Sequence, residues 1–170
     1  MSTAEAAQVA VDVQRALAED LGSGDVTADL LPDLSACAEL RCKSEAVIAG
    51  RPWFDACFLA LDPSMQIDWQ VAEGEHIDAG TVICRLNGRR RALVSAERCA
   101  LNFLQTLSAT ATATARHVAV LRGSRTRILD TRKTLPGLRL AQKYAVRAGG
   151  GVNHRLGLYD AVMVKENHIA

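Results

Sequence analysis

Several features are scarce in this sequence, and each scarcity removes a class of protein. Aromatic residues make up 4% of the 170 residues, so the interleaved aromatics of a base-stacking nucleic-acid surface are missing. The five cysteines form no C-x-x-C pair and are odd in number, which argues against a zinc site and a complete disulfide framework. We expect them to be reduced, mostly buried thiols.

Long apolar runs and a basic leader are also absent. The best membrane candidate, 92–115, is interrupted by Glu97, Arg98, Asn102 and Gln105. No basic residue occurs before Arg15, unlike a signal or transit peptide. We therefore expect a cytoplasmic protein that binds neither membrane nor nucleic acid.

The lysine content is uneven. Short strands predicted over 65–86, with turns at 73–75 and 78–80, resemble half of a lipoyl or biotinyl carrier domain. A carrier needs a modifiable lysine at a hairpin tip, and no lysine occurs from residue 44 to residue 132. The pattern thus favours a β module without a carrier function.

Charge divides the chain into two halves of opposite sign. Residues 1–84 hold 15 acidic and 4 basic side chains, whereas residues 85–170 hold 4 acidic and 16 basic ones. A basic half without aromatics favours a small polyanion or an acidic partner surface as its ligand. Two copies of the chain would also attract each other, acidic half against basic half.

Apolar periodicity predicts the main elements. Helices are indicated at 4–20, capped by Gly22, and at 52–61, with a strand or hairpin over 36–50 between them. Ser95 is a good N-cap for a helix through Leu107, and a helical pattern resumes at 116–121.

The last third of the chain predicts a βαβ unit. Residues 127–130 and 161–164 are short apolar runs typical of buried strands, and 138–148 fits a helix with a small apolar stripe. Two basic clusters, 131–134 and 165–168, directly follow the two runs. The carboxyl ends of parallel strands meet at one edge of a sheet, so the sequence predicts an anion site there.

Other polar residues near this edge leave alternatives open. Gly149–Gly151 permit positive φ and close backbone approach to a ligand, although His154 and Arg155 after them also suit a surface turn. Residues 139, 143 and 147 are basic at helical spacing, which favours a solvated face. Asp130, Asp160 and Glu166 suit metal binding, orientation of a lysine, or ordinary ion pairs.

Arg98 is awkwardly placed if Ser95 caps a helix. Its charge would then face the positive end of the helix dipole, which is unfavourable by about 1 kcal/mol at most. It either pairs with Glu97 or another acidic residue, or it holds an anion together with the helix N-terminus.

Five motifs together resemble the quinolinate phosphoribosyltransferase family, the carboxylating nicotinate-nucleotide pyrophosphorylases. The resemblance spans the chain nearly end to end, and the Asp-Thr-Arg-Lys-Thr motif makes it specific. The motifs occupy 19–27, 97–105, 130–139, 149–155 and 165–168.

The resemblance implies an α/β fold. An N-terminal α/β sandwich domain would occupy 1–107, and the first strands of an incomplete, seven-stranded α/β barrel would occupy 108–170. Family members run well over a hundred residues longer, so we expect this sequence to be part of a longer protein and to be inactive alone. The residues for metal and 5′-phosphate would then lie outside it.

The resemblance also implies a reaction of NAD biosynthesis. Phosphoribosyl pyrophosphate, bound with Mg²⁺, would react with quinolinate to give nicotinate mononucleotide, carbon dioxide and pyrophosphate. By analogy, substrate binding falls to Arg98, Arg132, Lys133, His154, Arg155 and Lys165, with Lys133 and Lys165 also catalytic. The resemblance implies a homodimer or larger assembly in which Arg98 enters the neighbouring subunit's active site.

Two other interpretations remain. The related family linked to molybdenum transport shares the barrel, although Arg132 and the His154–Arg155 pair favour quinolinate. A noncatalytic anion-binding or dimerisation module is the interpretation from another class.

Overall fold

A computed structural model of the chain describes residues 1–169 and begins with helix α1 (Thr3–Leu21). Ser2 and Glu5 form a capping box, in which the Ser2 hydroxyl accepts from the Glu5 N–H at 3.3 Å and the Glu5 carboxylate accepts from the Ser2 N–H at 2.7 Å. At the other end, Gly22 has φ of 50° and donates to the Ala18 carbonyl. The predicted helix and its glycine cap are confirmed.

Five strands and three further helices follow α1. They are β1 (Ser35–Arg41), β2 (Ala46–Val47), α2 (Arg51–Leu61), β3 (Gln66–Trp69), β4 (His76–Ile77), β5 (Val82–Arg89), α3 (Arg90–Val120) and α4 (Arg139–Ala148), with short 3-10 helices at Ala28–Leu30 and Glu166–His168.

The strands form two antiparallel sheets. Strand β5 lies between β1 and β3, while β2 and β4 form a separate pair. Two strands therefore occur where one strand or a hairpin was predicted over 36–50, and they pair with different partners instead of with each other. The predicted turns at 73–75 and 78–80 are confirmed, with Gly74 and Gly80 at φ of 80° and 87°.

The core lies where α1, α2, α3 and the sheets meet. On α2, Phe54, Cys57 and Phe58 are buried. Trp53 is completely buried as well: its ring nitrogen donates to Asp12 at 3.0 Å, and its ring packs edge-on against Tyr144 of α4 at 5.3 Å. This tryptophan connects the N-terminal helices to the C-terminal half of the chain.

Helix α3 is continuous over 31 residues, so the prediction that Ser95 caps a helix is wrong. The helix begins directly after β5, where the backbone donors at its start find partners elsewhere: Arg89 N–H donates to Asp62 and Arg90 N–H to the Leu34 carbonyl. Ser95 instead donates its hydroxyl to Asp25 at 2.7 Å. The boundary proposed after residue 107 falls inside this helix. Within residues 1–169, no helix combines the length and apolar character needed to cross a membrane.

The βαβ prediction is correct in its helix but wrong in both strands, since residues 127–130 form no regular strand and Leu129 is 52% exposed. Leu129 forms a single parallel bridge with Val152, closed by hydrogen bonds from Asp130 N–H to the Val152 carbonyl and from Val152 N–H to the Ile128 carbonyl. Residues 161–164 are exposed and form no strand, because no strand among residues 1–169 lies beside them to supply backbone partners. The two loops that meet at the parallel edge are therefore 131–134 and 153–155.

Candidate functional site

Asp130 is the centre of the edge where these two loops meet. Its carboxylate accepts hydrogen bonds from the Lys143 ammonium at 2.5 Å, the Asn153 side-chain amide at 2.6 Å and the His154 N–H at 2.8 Å. The Asp130 and Lys143 side chains are only 7% and 1% exposed. Of the roles that the sequence left open for Asp130, the structure shows the orientation of a lysine by an ion pair.

The first loop presents Arg132 and Lys133. The Lys133 N–H donates to the Thr131 hydroxyl at 3.1 Å, and the Thr134 N–H to the Arg132 carbonyl at 3.0 Å, which folds residues 131–134 into a tight turn. Arg132 is half-buried, and its Nε is a buried donor with no hydrogen-bond partner among the described residues. An unsatisfied buried donor beside a loop of cations is suited to an anionic ligand.

Helix α4 ties both loops to the body of the protein. Arg139 donates to the Thr134 hydroxyl at 3.3 Å and to the Leu156 carbonyl at 3.1 Å, and Lys143 donates to the His154 carbonyl at 3.0 Å. Arg147 donates to Asn153 at 2.6 Å and pairs with the buried Glu5. The solvated face predicted for these three cations is wrong for the buried Lys143 and the half-buried Arg139, which segment 153–156 covers, whereas Arg147 is exposed as predicted.

The predicted small stripe on the opposite side is confirmed, since Ala141 and Ala145 are completely buried. Gly150 has the expected positive φ of 83°. The close approach at Gly149 and Gly151 is to α3: a Cβ on either glycine would come within 2.8 Å of the Thr114 side chain. The described structure thus explains these two glycines by packing between helices.

The second loop presents His154 and Arg155. Both side chains are half-buried, and Arg155 donates to the Ala161 carbonyl at 3.2 Å. Asp160 accepts from the N–H groups of Leu156 and Gly157 at 2.6 and 2.9 Å. The hydrogen bond from Leu156 is the main cause that lowers the Asp160 pKa, followed by that from Gly157. Asp160 thereby stays ionised and shapes the chain that follows Arg155.

The structure does not bring Lys165 to this edge. Lys165 lies in the exposed segment 158–169 and takes no part in the Asp130 network among the described residues. Its backbone N–H donates to His168 Nδ1 at 3.1 Å. The sequence predicted Lys165 at the end of a strand beside residue 130, and the missing strand removes that placement. Its role remains a prediction.

Arg98 lies on a different element from the other candidates, as an exposed residue well inside α3. The dipole conflict predicted at a helix start therefore does not arise. No ion pair joins Arg98 to an acidic residue among residues 1–169. It lines a cavity of about 190 Å³ together with Glu19, Asp20, Asn102 and Leu138, the residue before α4.

The edge as a whole is a cationic cradle, which we define as Arg132, Lys133, His154 and Arg155. Arginine forks match carboxylates in two-point hydrogen bonding, and a lysine adds a compact charge. In the described part of the chain, no group of three or more histidine, cysteine or acidic side chains is placed to hold a metal ion. The arrangement is suited to binding a small molecule with more than one anionic group.

Sequence reasoning missed the residues that support this cradle. Asn153 lies in the 149–155 motif but was given no role, and helical spacing placed Lys143 on a solvated face. The available signal was Asp130: an acidic residue at the end of a buried strand needs a buried partner, and the basic residues of the next helix are the nearest candidates.

Models of two domains of one family match the chain. The quinolinate phosphoribosyl transferase N-terminal domain matches residues 25–108, and the C-terminal domain of the same family matches residues 110–170. Among curated proteins, a probable carboxylating nicotinate-nucleotide pyrophosphorylase of Bacillus subtilis is 46% identical over 153 residues, covering 89% of this chain and 53% of that protein. A decarboxylating quinolinate phosphoribosyltransferase of Nicotiana tabacum is 41% identical, covering 93% and 45%.

Solved structures agree with these matches. The nicotinate-nucleotide pyrophosphorylase of Francisella tularensis superposes with a TM-score of 0.93 at 44% identity, covering 96% of this chain and 59% of that one. The corresponding protein of Ehrlichia chaffeensis gives 0.89 at 30% identity, covering 99% and 60%. The chain spans about half the length of the curated relatives it matches.

Proposed function

Since this chain belongs to the quinolinate phosphoribosyltransferase family, we propose that its cationic cradle is part of the active site of a pentosyltransferase of NAD biosynthesis. The substrates are quinolinate and phosphoribosyl pyrophosphate, the latter carrying Mg²⁺ as part of the substrate complex. The products are nicotinate mononucleotide, carbon dioxide and pyrophosphate.

One observation carries this proposal: the parallel bridge at Leu129 and the Asp130 network bring the predicted binding residues of two separate motifs to one edge. Arg132 offers an unpartnered buried donor, and Arg155 follows the residue whose N–H is tied to Asp130. Quinolinate carries two adjacent carboxylates on a pyridine ring. Two arginines on neighbouring loops, with His154 between them, match that pair of charges.

The reaction requires such a site to position the substrates and to offset negative charge. The bond between the ribosyl carbon and pyrophosphate breaks as the pyridine nitrogen forms a bond to that carbon. The carboxylate beside the nitrogen then leaves as carbon dioxide, and the ring carbon keeps the bonding electron pair and takes up a proton from solvent. The cradle holds quinolinate so that its nitrogen faces the ribosyl carbon. Lys133, together with Lys165 in our proposal, offsets the negative charge of carboxylate and departing pyrophosphate.

Arg98 enters this proposal through a second copy of the chain. It is exposed and unpaired among the described residues, and it lies on a different element from the cradle. We propose a homodimer or larger homo-oligomer in which the neighbouring copy supplies this arginine. The free thiols of all five cysteines are consistent with a reducing compartment such as the cytoplasm.

Titration calorimetry of the 170-residue chain with quinolinate tests the binding proposal. Replacement of Arg155 by Ala removes a charge-assisted pair and is expected to weaken binding by about 10-fold to 100-fold. Arg122→Ala is the matched control, because it removes an exposed arginine from the same basic half of the chain. Absence of quinolinate binding by the native chain, or equal losses in the two variants, would contradict the proposal.

Turnover is a separate measurement. Because the chain spans about half the length of its relatives, we expect the 170 residues to bind quinolinate without forming nicotinate mononucleotide. Product detected by chromatography after incubation with both substrates and Mg²⁺ would show this expectation to be wrong.

A further inference from the structure

Besides pairing with each other, Asp130 and Lys143 both form a hydrogen bond to the backbone of His154. Asp130 accepts from the His154 N–H at 2.8 Å, and Lys143 donates to the His154 carbonyl at 3.0 Å. Both backbone polar groups of one cradle residue are therefore held by the two partners of one buried ion pair. Nothing else in the described structure fixes His154 in this way.

Asn153 extends the same arrangement. Its amide nitrogen donates to Asp130 at 2.6 Å and to the Lys143 carbonyl at 2.9 Å, while its oxygen accepts from Arg147 at 2.6 Å. Both amide N–H donors of this side chain and its oxygen are therefore hydrogen-bonded within the cluster. The residue that precedes the cradle histidine is thus held by Asp130 on one side and by helix α4 on the other.

Stability alone does not account for an ion pair at this position. Burying two charges costs solvation free energy, and well-packed apolar residues often stabilise a fold as much or more. An apolar pair would fill the space between the 128–130 segment and α4 but would leave the His154 N–H and carbonyl without partners. The two charged groups are needed because they hold the backbone of His154 in place.

From this geometry we infer that Asp130, Lys143 and Asn153 form a positioning clamp, which sets the distance and orientation between Arg132 on one loop and the His154–Arg155 pair on the other. The clamp contacts no substrate and acts through the backbone of residues 153–155. It rests on the proposed function in one respect: the ligand used to measure it is quinolinate. Its consequence is a preference for two adjacent carboxylates over one, since only correctly spaced loops engage both.

The test compares quinolinate with nicotinate, which has one carboxylate, in calorimetric titrations below the unfolding temperature. In Lys143→Met, quinolinate binding is expected to weaken by about tenfold or more, nicotinate binding much less, so that the preference shrinks. Adding Asp130→Asn to Lys143→Met should bring little further loss, because both act through one clamp. Asn153→Ala, at a half-buried position, serves if Lys143→Met does not fold.

Asp62→Asn is the matched control. Asp62 is a buried aspartate that also accepts from a backbone N–H, that of Arg89 at 2.9 Å, but it lies at the C-terminal end of α2. If Asp62→Asn lowers the unfolding temperature as much as Lys143→Met but leaves the quinolinate preference intact, the smaller preference in Lys143→Met is not caused by lost stability. An unchanged preference in Lys143→Met and in Asn153→Ala would overturn the clamp.

Amide hydrogen exchange distinguishes failure of the clamp from failure of the proposed function. If the native chain binds no quinolinate, the function proposal fails, yet the His154 N–H still reports on the clamp. It should exchange at least tenfold faster in Asp130→Asn and in Asn153→Ala than in the native chain, and at the native rate in Asp62→Asn. Equal exchange in all of these proteins would refute the clamp independently of any ligand.

Discussion

Replacing Gly149 with alanine tests the packing of α4 against α3 without a conformational complication. Gly149 caps α4 with φ of −80° and ψ of 6°, values that alanine adopts freely. The cost of the change is therefore steric. A Cβ at this position would overlap the Ala111 carbonyl oxygen and lie 2.8 Å from Thr114 Cβ, roughly 1 Å closer than carbon atoms pack without strain.

The expected loss follows from these contacts. Overpacking costs about 1–3 kcal/mol, and the upper end applies here because a backbone atom cannot rotate away. The smaller conformational entropy of unfolded alanine offsets about 0.4–1 kcal/mol. A net loss of about 2 kcal/mol corresponds to a fall of about 4–8 °C in unfolding temperature for a chain of this length.

Urea unfolding and thermal scans measure this loss. Gly150→Asn is the control: its φ of 83° suits asparagine, and its nearest neighbour to a new Cβ is Val118 at 3.6 Å. Gly149→Ala should also weaken quinolinate binding, since Val152 and the second loop follow directly. A Gly149→Ala variant as stable as the native chain, or more stable, would refute the packing argument.

Two further outcomes are expected. The hydrogen bond from the Ala28 N–H, followed by that from Ser95, lowers the pKa of Asp25 below 3.8. Its contribution to stability is therefore complete above that value and is lost as the pH falls through the lower folded pKa, so the gap in urea midpoint between native and Asp25→Ala proteins should close between pH 5 and about pH 2. A gap that widens with acid would contradict this. Burial raises the pKa of the Cys57 and Cys84 thiols to about 12 and of Cys99 to about 11; a thiol reagent at pH 8 should modify exposed Cys37 first and these three only in urea, which mass spectrometry of the labelled peptides would show.

Elements with a strong local signal were predictable from the sequence. The capped α1, the amphipathic α2 and the glycine turns follow from residues within a few positions of each other. The start of α3 was not predictable, because the donors at its N-terminus are satisfied by Asp62 and by the Leu34 carbonyl, both far away in sequence. Ser95 fits the local pattern of an N-cap, but its hydroxyl donates to Asp25, which is 70 residues away in sequence.

The candidate site was predictable in its residues but not in its arrangement. Charge and motif indicated Arg132, Lys133 and the His154–Arg155 pair, and the structure brings the two loops that carry them to one edge. The expected neighbour 161–164 proved to be no strand, and Val152 is the parallel partner of Leu129 instead. Periodicity reports which residues are apolar, whereas strand formation also requires a backbone partner, and no local pattern supplies that information.

Because helix α3 is unbroken, it fixes the rotation and the spacing between the two regions that the family models match. Those regions meet near residue 109, about two thirds of the way along α3. The first part of this helix packs on the sheets, and its later residues Ala111 and Thr114 pack against the glycines that follow α4. One residue inserted between them would turn one region against the other by about 100° and move it by about 1.5 Å. A loop at that point would tolerate insertions and deletions. In this chain the length of the helix itself determines the orientation of the basic edge.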